Sequence, residues 1–276
     1  MNKLIILIII YICFVLSNPL NIKNEKTYGL NHIPNNYVQP FTIINSQDDL
    51  VKVNFPCIFK PNKCSGGNKN VEIIHNIKEA IRYFKNINGS VIAQKIHNGS
   101  YEVGVLYERH PFLKNGKIVS IVSKNIDNKW KPLKCSHYGN NSGTRCNNKP
   151  TWITKKLENK IDFISKNIPN FYVGRYDIRF NDINKFKEGK EFKVLELNGT
   201  MGFDLRARFR TLNPIKFIIF LLLIVRWIIV RVIIGFQNII LFNTPNPIKF
   251  IKNMINMYFT AIKCKDWEFI FRTSVM

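Results

Sequence analysis

The chain has 276 residues, 46% of them hydrophobic, and 41 Lys and Arg against 18 Asp and Glu give a formal charge of +23. That length holds one large domain or two small lobes, and the apolar share is ample for a core. No concentrated Lys/Arg tract or nucleic-acid-binding motif goes with the charge, which excludes the usual signatures of a nucleic-acid binder. A dispersed excess suits an anionic membrane, a polyphosphate-bearing substrate, or only the Lys, Asn and Ile bias of an AT-rich coding sequence.

The first stretch, Met1 to Ser17, has one Lys and then about a dozen apolar residues, which fits a signal-peptide core better than a full span. Val15-Leu16-Ser17 is a passable cleavage site; an uncleaved anchor and a buried helix are the alternatives. Six cysteines are scattered along the chain and none forms C-x-x-C. Cys135, His137 and Cys146 lack an evident fourth zinc ligand, so free thiols or a single disulfide are the simpler reading. Asn-x-Ser/Thr sequons occur at Asn88, Asn98, Asn140 and Asn198, and would be acceptors only in a secretory lumen.

Phe41 to Ile44 reads as a short strand and Ser46 to Asp49 as a helix start. Phe55 to Pro61 is a short buried strand that delivers Lys60 to a loop carrying Ser65, Gly66 and Gly67. A strand ending in Lys before a Ser/Gly loop can hold polyphosphate through backbone N–H groups and one cation. It is not a Walker P-loop, because G-x-x-x-x-G-K-[ST] is absent. Ile77 to Asn86 is a helix with Ile77, Ala80, Ile81 and Phe84 on its apolar side. Val91 to Ile96 is a strand, His97 to Ser100 a turn, and Tyr101 to Tyr107 the returning strand. Phe112 to Ser123 is an Asn-Gly hairpin, Lys131 to Pro150 a long polar loop, and Trp152 to Ile168 a helix.

Phe171 to Asp204 is the stretch around which the rest is organised. Tyr172 to Phe180 and Glu191 to Asn198 read as paired strands. Side chains alternate faces, so Arg175, Asp177 and Arg179 share one face, and Glu196 and Asn198 share another with Val194 in line. Antiparallel pairing can bring Asp177 opposite Glu196 and Asn198. Two carboxylates and an amide oxygen gathered together suit Mg²⁺ bound also to phosphate oxygens. The bland alternative is a solvated face with cross-strand ion pairs.

Gly-Arg-Tyr-Asp at 174–177 followed by Leu-Glu-Leu-Asn-Gly at 195–199 resembles the metal-binding half of the ATP-grasp ligases, the D-alanine–D-alanine ligase-like group. The Lys-Pro and glycine-rich loop after residue 59 resembles the same family. The resemblance covers about Pro34 to Gly202 and implies an α+β fold, with two lobes of antiparallel sheet clasping ATP over 34–205. By resemblance, Lys60, Ser65, Gly66 and Gly67 hold phosphates, Gln94, Lys95 and Ile96 form the adenine hinge, and Glu102 takes the ribose. Asp177, Glu196 and Asn198 hold Mg²⁺ or Mn²⁺. Arg175 serves the reacting phosphate, and Gly199 and Gly202 offer backbone N–H groups to the tetrahedral intermediate. The family often has Glu where Gln94 stands. Only a short segment precedes Pro34, so the family's usual preceding domain is not expected. The acidic, His-containing stretch of similar bacterial proteins is replaced by Asp204 to Arg210, which leaves the acceptor open.

The tail, 212–276, is hydrophobic and basic. Ile215 to Phe242 is long enough to span a membrane but carries Arg226 and Arg231. A membrane-embedded or membrane-lying helix and a helix packed on the domain both stand. Pro245 to Met276 reads as an amphipathic basic helix. The implied activity is an ATP- and Mg-dependent ligase that activates a carboxylate as an acyl phosphate for an amine or thiol, on a membrane with its domain facing the cytosol. A membrane-associated nucleotide-binding protein without catalysis, and a basic structural or nucleic-acid-binding protein, are the rivals.

Overall fold

The computed structural model describes residues 12–13, 26–62, 70–87, 89–124, 147–198 and 214–241. In chain order the elements are α1 (Lys26–Leu30), β1 (Phe41–Ile44), a 3-10 turn (Gln47–Lys52), β2 (Cys57–Pro61), β3 (Glu72–Ile74), α2 (Ile77–Lys85), β4 (Val91–Lys95) and β5 (Tyr101–Glu108). There follow β6 (Lys117–Lys124), β7 (Asn147–Asn148), a 3-10 turn (Pro150–Trp152), α3 (Lys155–Lys166), β8 (Val173–Phe180), α4 (Ile183–Lys187), β9 (Phe192–Asn198) and α5 (Pro214–Ile240). This is the α+β class that the sequence predicts, with two antiparallel sheets in two compact units.

The smaller unit holds a sheet ordered β1-β4-β2-β3. Asn76 starts α2 by accepting the Glu79 N–H, while the Glu79 carboxylate accepts from the His75 N–H at 2.8 Å, so both ends of the first turn are satisfied. Its buried stripe is Ala80 and Tyr83, which pack on Ile44, Cys57, Phe59 and Ile74 from one sheet face. Ile77, predicted on that side, is instead exposed. The predicted hairpin between residues 91–96 and 101–107 does not form. Both edges of β4 are taken by β1 and β2, and β5 pairs with β6 and β8 in the other sheet.

The larger unit holds a sheet ordered β7-β6-β5-β8-β9. Thr154 caps α3 by accepting the Leu157 N–H, and the helix buries Leu157, Ile161 and Ile164. Its polar residues tie it to one sheet face. Ser165 bonds the Tyr176 hydroxyl at 2.7 Å, and Asp162 accepts from the Tyr107 hydroxyl at 2.7 Å and from the Gly116 N–H at 2.8 Å. Phe180 and Phe186 stack at the end of that face, and Trp152 meets both edge-on. The Asn-Gly hairpin expected over 112–123 does not form: Phe112 and Leu113 are exposed in the connection 109–116, and β6 pairs instead with β5, Glu108 opposite Lys117. The β8–β9 connection contains α4, capped by Asp182, and turns back through Gly189 at φ 75°, a left-handed conformation that glycine adopts freely.

One flank of α5 packs on this unit, with Trp227, Arg231, Ile234 and Asn238 buried. The backbone at Cys13 lies against Gly235, where a Cβ would stand 1.7 Å from the Cys13 carbonyl oxygen. Over Leu221–Ile240 the mean hydropathy is 1.9, long and apolar enough to cross a membrane by length and composition. Apart from Ile12 and Cys13, the predicted signal or anchor at 1–17 lies outside the described residues. So do the glycine loop at 63–69, most of the polar loop at 131–150 with Cys135, His137 and Cys146, and the helical tail after Pro245.

Candidate functional site

The register of β8 sets the site. Arg175 lies opposite Asn198 and Asp177 opposite Glu196 on one side, while Arg179 lies opposite Glu102 and Asp177 opposite Gly104 on the other. Directly opposed residues share a face. One face of the sheet therefore collects Glu102, Arg175, Asp177, Arg179, Glu196 and Asn198. The other face carries Tyr107, Tyr176, Ile178 and Phe180, all buried, with α3 on it. Gly104, opposite Asp177, adds no side chain to the polar face.

A break in register between Asp177 and Ile178 leaves Leu195 as an extra residue on β9. Val194 consequently pairs with Ile178 and is fully buried with the apolar set. It is not in line with Glu196, as strict alternation predicts.

Within the polar face, the Arg175 Nε donates to Asp177 Oδ1 at 3.1 Å, and the Asn198 Nδ2 donates to Asp177 Oδ2 at 3.5 Å. The Arg179 Nε donates to Glu102 Oε2 at 2.7 Å, with both side chains almost fully buried. Gly174 explains the glycine of Gly-Arg-Tyr-Asp. A Cβ there would stand 2.8 Å from the Asn198 carbonyl oxygen and 2.7 Å from the Phe171 ring, so its absence lets the end of β9 close on β8.

The donor set fits a small hard cation. Asp177 and Glu196 are like charges directly opposed across a ladder, an unfavourable arrangement unless a cation lies near. Arg175 compensates Asp177. The Asn198 amide, turned about its last torsion, puts an oxygen where its nitrogen now meets Asp177. Two carboxylates and one amide oxygen are hard ligands of the kind Mg²⁺ takes alongside phosphates. Among the described residues no group of three His, Cys, Asp or Glu side chains is gathered as a metal site.

In the smaller unit the Lys60 Nζ donates to Gln94 Oε1 at 3.0 Å, both side chains buried. Lys60 pairs with Ile92 and Gln94 with Ile58, so the two share the sheet face turned away from α2. The exit from β2 is pinned by Asn62, whose N–H donates to the Ser90 carbonyl at 2.9 Å and whose Oδ1 accepts from Thr27. Lys95 ends β4 with its side chain exposed. Its N–H donates to the Pro40 carbonyl, and its carbonyl accepts from Gln39 Nε2 at 2.8 Å. Ile96 is the first residue past the strand.

The larger unit thus brings together Arg175, Asp177, Glu196, Asn198 and Glu102. The smaller one joins Lys60 to Gln94, while Lys95 points to the opposite face. Ser65, Gly66, Gly67, Gly199 and Gly202 lie outside the described residues. Sequence reading gave no role to Arg179, though its place two residues after Asp177 was the signal, nor to Asn62, whose partners are remote in sequence.

No family model matches the chain, and no curated protein matches it. Among solved structures it is similar to the ATP-grasp ligase PsnB complexed with minimal precursor, at 16% identity and a TM-score of 0.47, over 76% of this chain and 64% of that one. It is similar to the D-alanine-D-alanine ligase from Coxiella burnetii, at 12% identity and a TM-score of 0.48, over 80% of this chain and 60% of that one. It is also similar to the D-alanine-D-alanine ligase from Helicobacter pylori, at 16% identity and a TM-score of 0.40, over 68% of this chain and 55% of that one. The chain spans under two thirds of the length of each.

Proposed function

We propose that the protein is an ATP- and Mg-dependent ligase of ATP-grasp type, held at a membrane with its catalytic residues on the cytosolic side. The observation that carries this is the direct opposition of Asp177 and Glu196, with Asn198 and Arg175 beside them on one sheet face. Like charges opposed across a ladder are stabilised by a cation between them, and a nucleotide brings one as its bound Mg²⁺.

In the reaction a substrate carboxylate oxygen attacks the γ-phosphorus and ADP departs, forming an acyl phosphate. An amine or thiol then attacks the acyl carbon, and phosphate leaves as the nucleophile loses its proton. Bound Mg²⁺ supplies charge neutralisation at the phosphates. Asp177, Glu196 and Asn198 hold it. Arg175 and Lys60 hold phosphate oxygens, each already oriented by a buried neighbour, Asp177 or Gln94. Gln94, Lys95 and Ile96 are assigned to adenine and Glu102 to the ribose, while Gly199 and Gly202 are assigned to the intermediate. Positioning and electrostatics do the catalytic work. Mean hydropathy over Leu221–Ile240 supports the membrane, and the need for ATP supports the cytosolic side.

One observation favours a second reading, nucleotide binding without turnover. Glu102 is already the partner of Arg179 in a buried ion pair, a structural role that needs no nucleotide. Titrating nucleotide with and without Mg²⁺, and following phosphate release, separates the readings. Wild type should bind ATP more tightly with Mg²⁺. Asp177→Ala should lose that dependence, and Glu196→Gln should stop turnover with the fold retained. Normal turnover in Glu196→Gln removes it from the metal set. Tight binding with no phosphate released under any acceptor supports the second reading.

A further inference from the structure

We propose that α5 lies flat on an anionic bilayer surface, with Leu222, Val225, Ile229, Ile233, Phe236 and Ile240 in the lipid, Arg231 buried against the protein and Arg226 paired at the edge. This deepens the membrane reading above by fixing the mode of contact.

The six residues recur every three or four positions, so they form one face of the helix. All are exposed. The flank opposite the stripe is docked on the larger unit and buries Trp227, Arg231, Ile234 and Asn238. At the edge between the two, Arg226 pairs with Glu108 at 2.7 Å, and Gln237 bonds His110 at 3.3 Å. The Arg231 guanidinium lies 5.0 Å from the centre of the Trp227 ring and is fully buried. Val230 and Ile234 pack on Tyr172 and Val173. A helix on a water-soluble domain carries charged and polar residues on its outward side, where α5 carries the apolar stripe. An apolar stripe this long, facing away from the body, marks a contact surface.

Spanning does not fit. The docked positions run from Arg226 to Asn238, about 18 Å of helix at the usual rise. That is more than half of a hydrocarbon core of about 30 Å. A transmembrane placement would carry Glu108 and the ends of β5 and β8 into lipid, where their charges and backbone groups are costly. A helix lying in the interface keeps the sheet in water and buries only the stripe. The charge identifies the surface. From Leu205 to Lys265 the sequence has no Asp or Glu. Four Lys or Arg fall between Arg206 and Lys216, and four more between Lys249 and Lys265. Cations on both sides of an apolar helix match anionic headgroups.

The test uses the full chain and phosphatidylcholine vesicles with and without phosphatidylserine. Leu222→Trp, Ile229→Trp and Phe236→Trp are made singly, and quenching by lipids brominated at different depths is read against the wild-type background. The expected result is co-flotation favoured by phosphatidylserine, with equal, shallow depth at all three sites. Ile229→Glu/Ile233→Glu should weaken vesicle binding about tenfold or more, with an unchanged circular dichroism melt showing that the fold survives. Three results overturn the proposal. If residue 229 lies about 10 Å deeper than residues 222 and 236, the helix spans. If the protein floats but no introduced Trp is quenched, another segment carries the membrane contact and this face is covered by protein. Both of these leave the protein on a membrane. If nothing floats with either vesicle, the membrane reading falls as well.

Discussion

Replacing Arg179 by Met separates a structural charge network from an idle one. The Arg179 Nε and Glu102 Oε2 are 2.7 Å apart, and both side chains are almost fully buried. At an effective dielectric of 20, two unit charges at that separation attract by about 6 kcal/mol. Desolvation of two buried ions costs several kcal/mol each, so the intact pair contributes close to nothing net. Breaking it differs, because Glu102 stays buried without its guanidinium. Arg179→Met should therefore cost about 3–5 kcal/mol, a large part of the roughly 5–15 kcal/mol that holds a domain folded. Glu102→Gln should cost a similar amount. The double variant removes both charges and should recover most of the loss, so the coupling is at least as large as one single loss, about 3 kcal/mol or more. Urea unfolding followed by circular dichroism on the four proteins measures this. Single losses under about 1 kcal/mol that simply add would refute the reasoning. They would show that the Arg179 guanidinium is not what compensates the buried Glu102.

Two further outcomes follow from neighbouring contacts. Burial raises the Asp162 pKa, but hydrogen bonds from Lys166, Tyr107 and the Gly116 N–H outweigh it and hold the carboxyl below its ordinary value. Its contribution is then full above the unfolded carboxylate pKa of about 3.9 and is lost as pH falls through the lower native value. Asp162→Asn should flatten the acid limb of a stability–pH curve, and an unchanged limb counts against it. Gly174→Ala forces a Cβ against the Asn198 carbonyl and the Phe171 ring. It should cost about 1–3 kcal/mol and, on the function proposed above, weaken nucleotide binding in Mg²⁺ by displacing Asn198. Unaltered binding would show that the end of β9 tolerates the shift.

What the sequence made legible was whatever one strand decides by itself. Alternation places Arg175, Asp177 and Arg179 on one face without reference to anything else, and the structure has them so. The same logic failed one strand over. An extra residue at Leu195 changes the parity of β9, so Glu196 and Asn198 keep faith with Asp177 while Val194 turns to the core. No local property of Val-Leu-Glu announces that insertion. The turn at His97 to Ser100 misled for a related reason. Its composition signals a reversal, but which strand β5 then pairs with depends on edges occupied from residues 41 and 57. The arginines of α5 are the instructive case. In sequence Arg226 and Arg231 look like defects in a span. In the structure Glu108 receives Arg226 at the edge of the exposed apolar face, and Arg231 lies buried by the Trp227 ring on the far side. The conflict between charge and hydropathy was readable from the start. Its resolution required knowing which flank of the helix the sheet had taken, and that is a long-range fact.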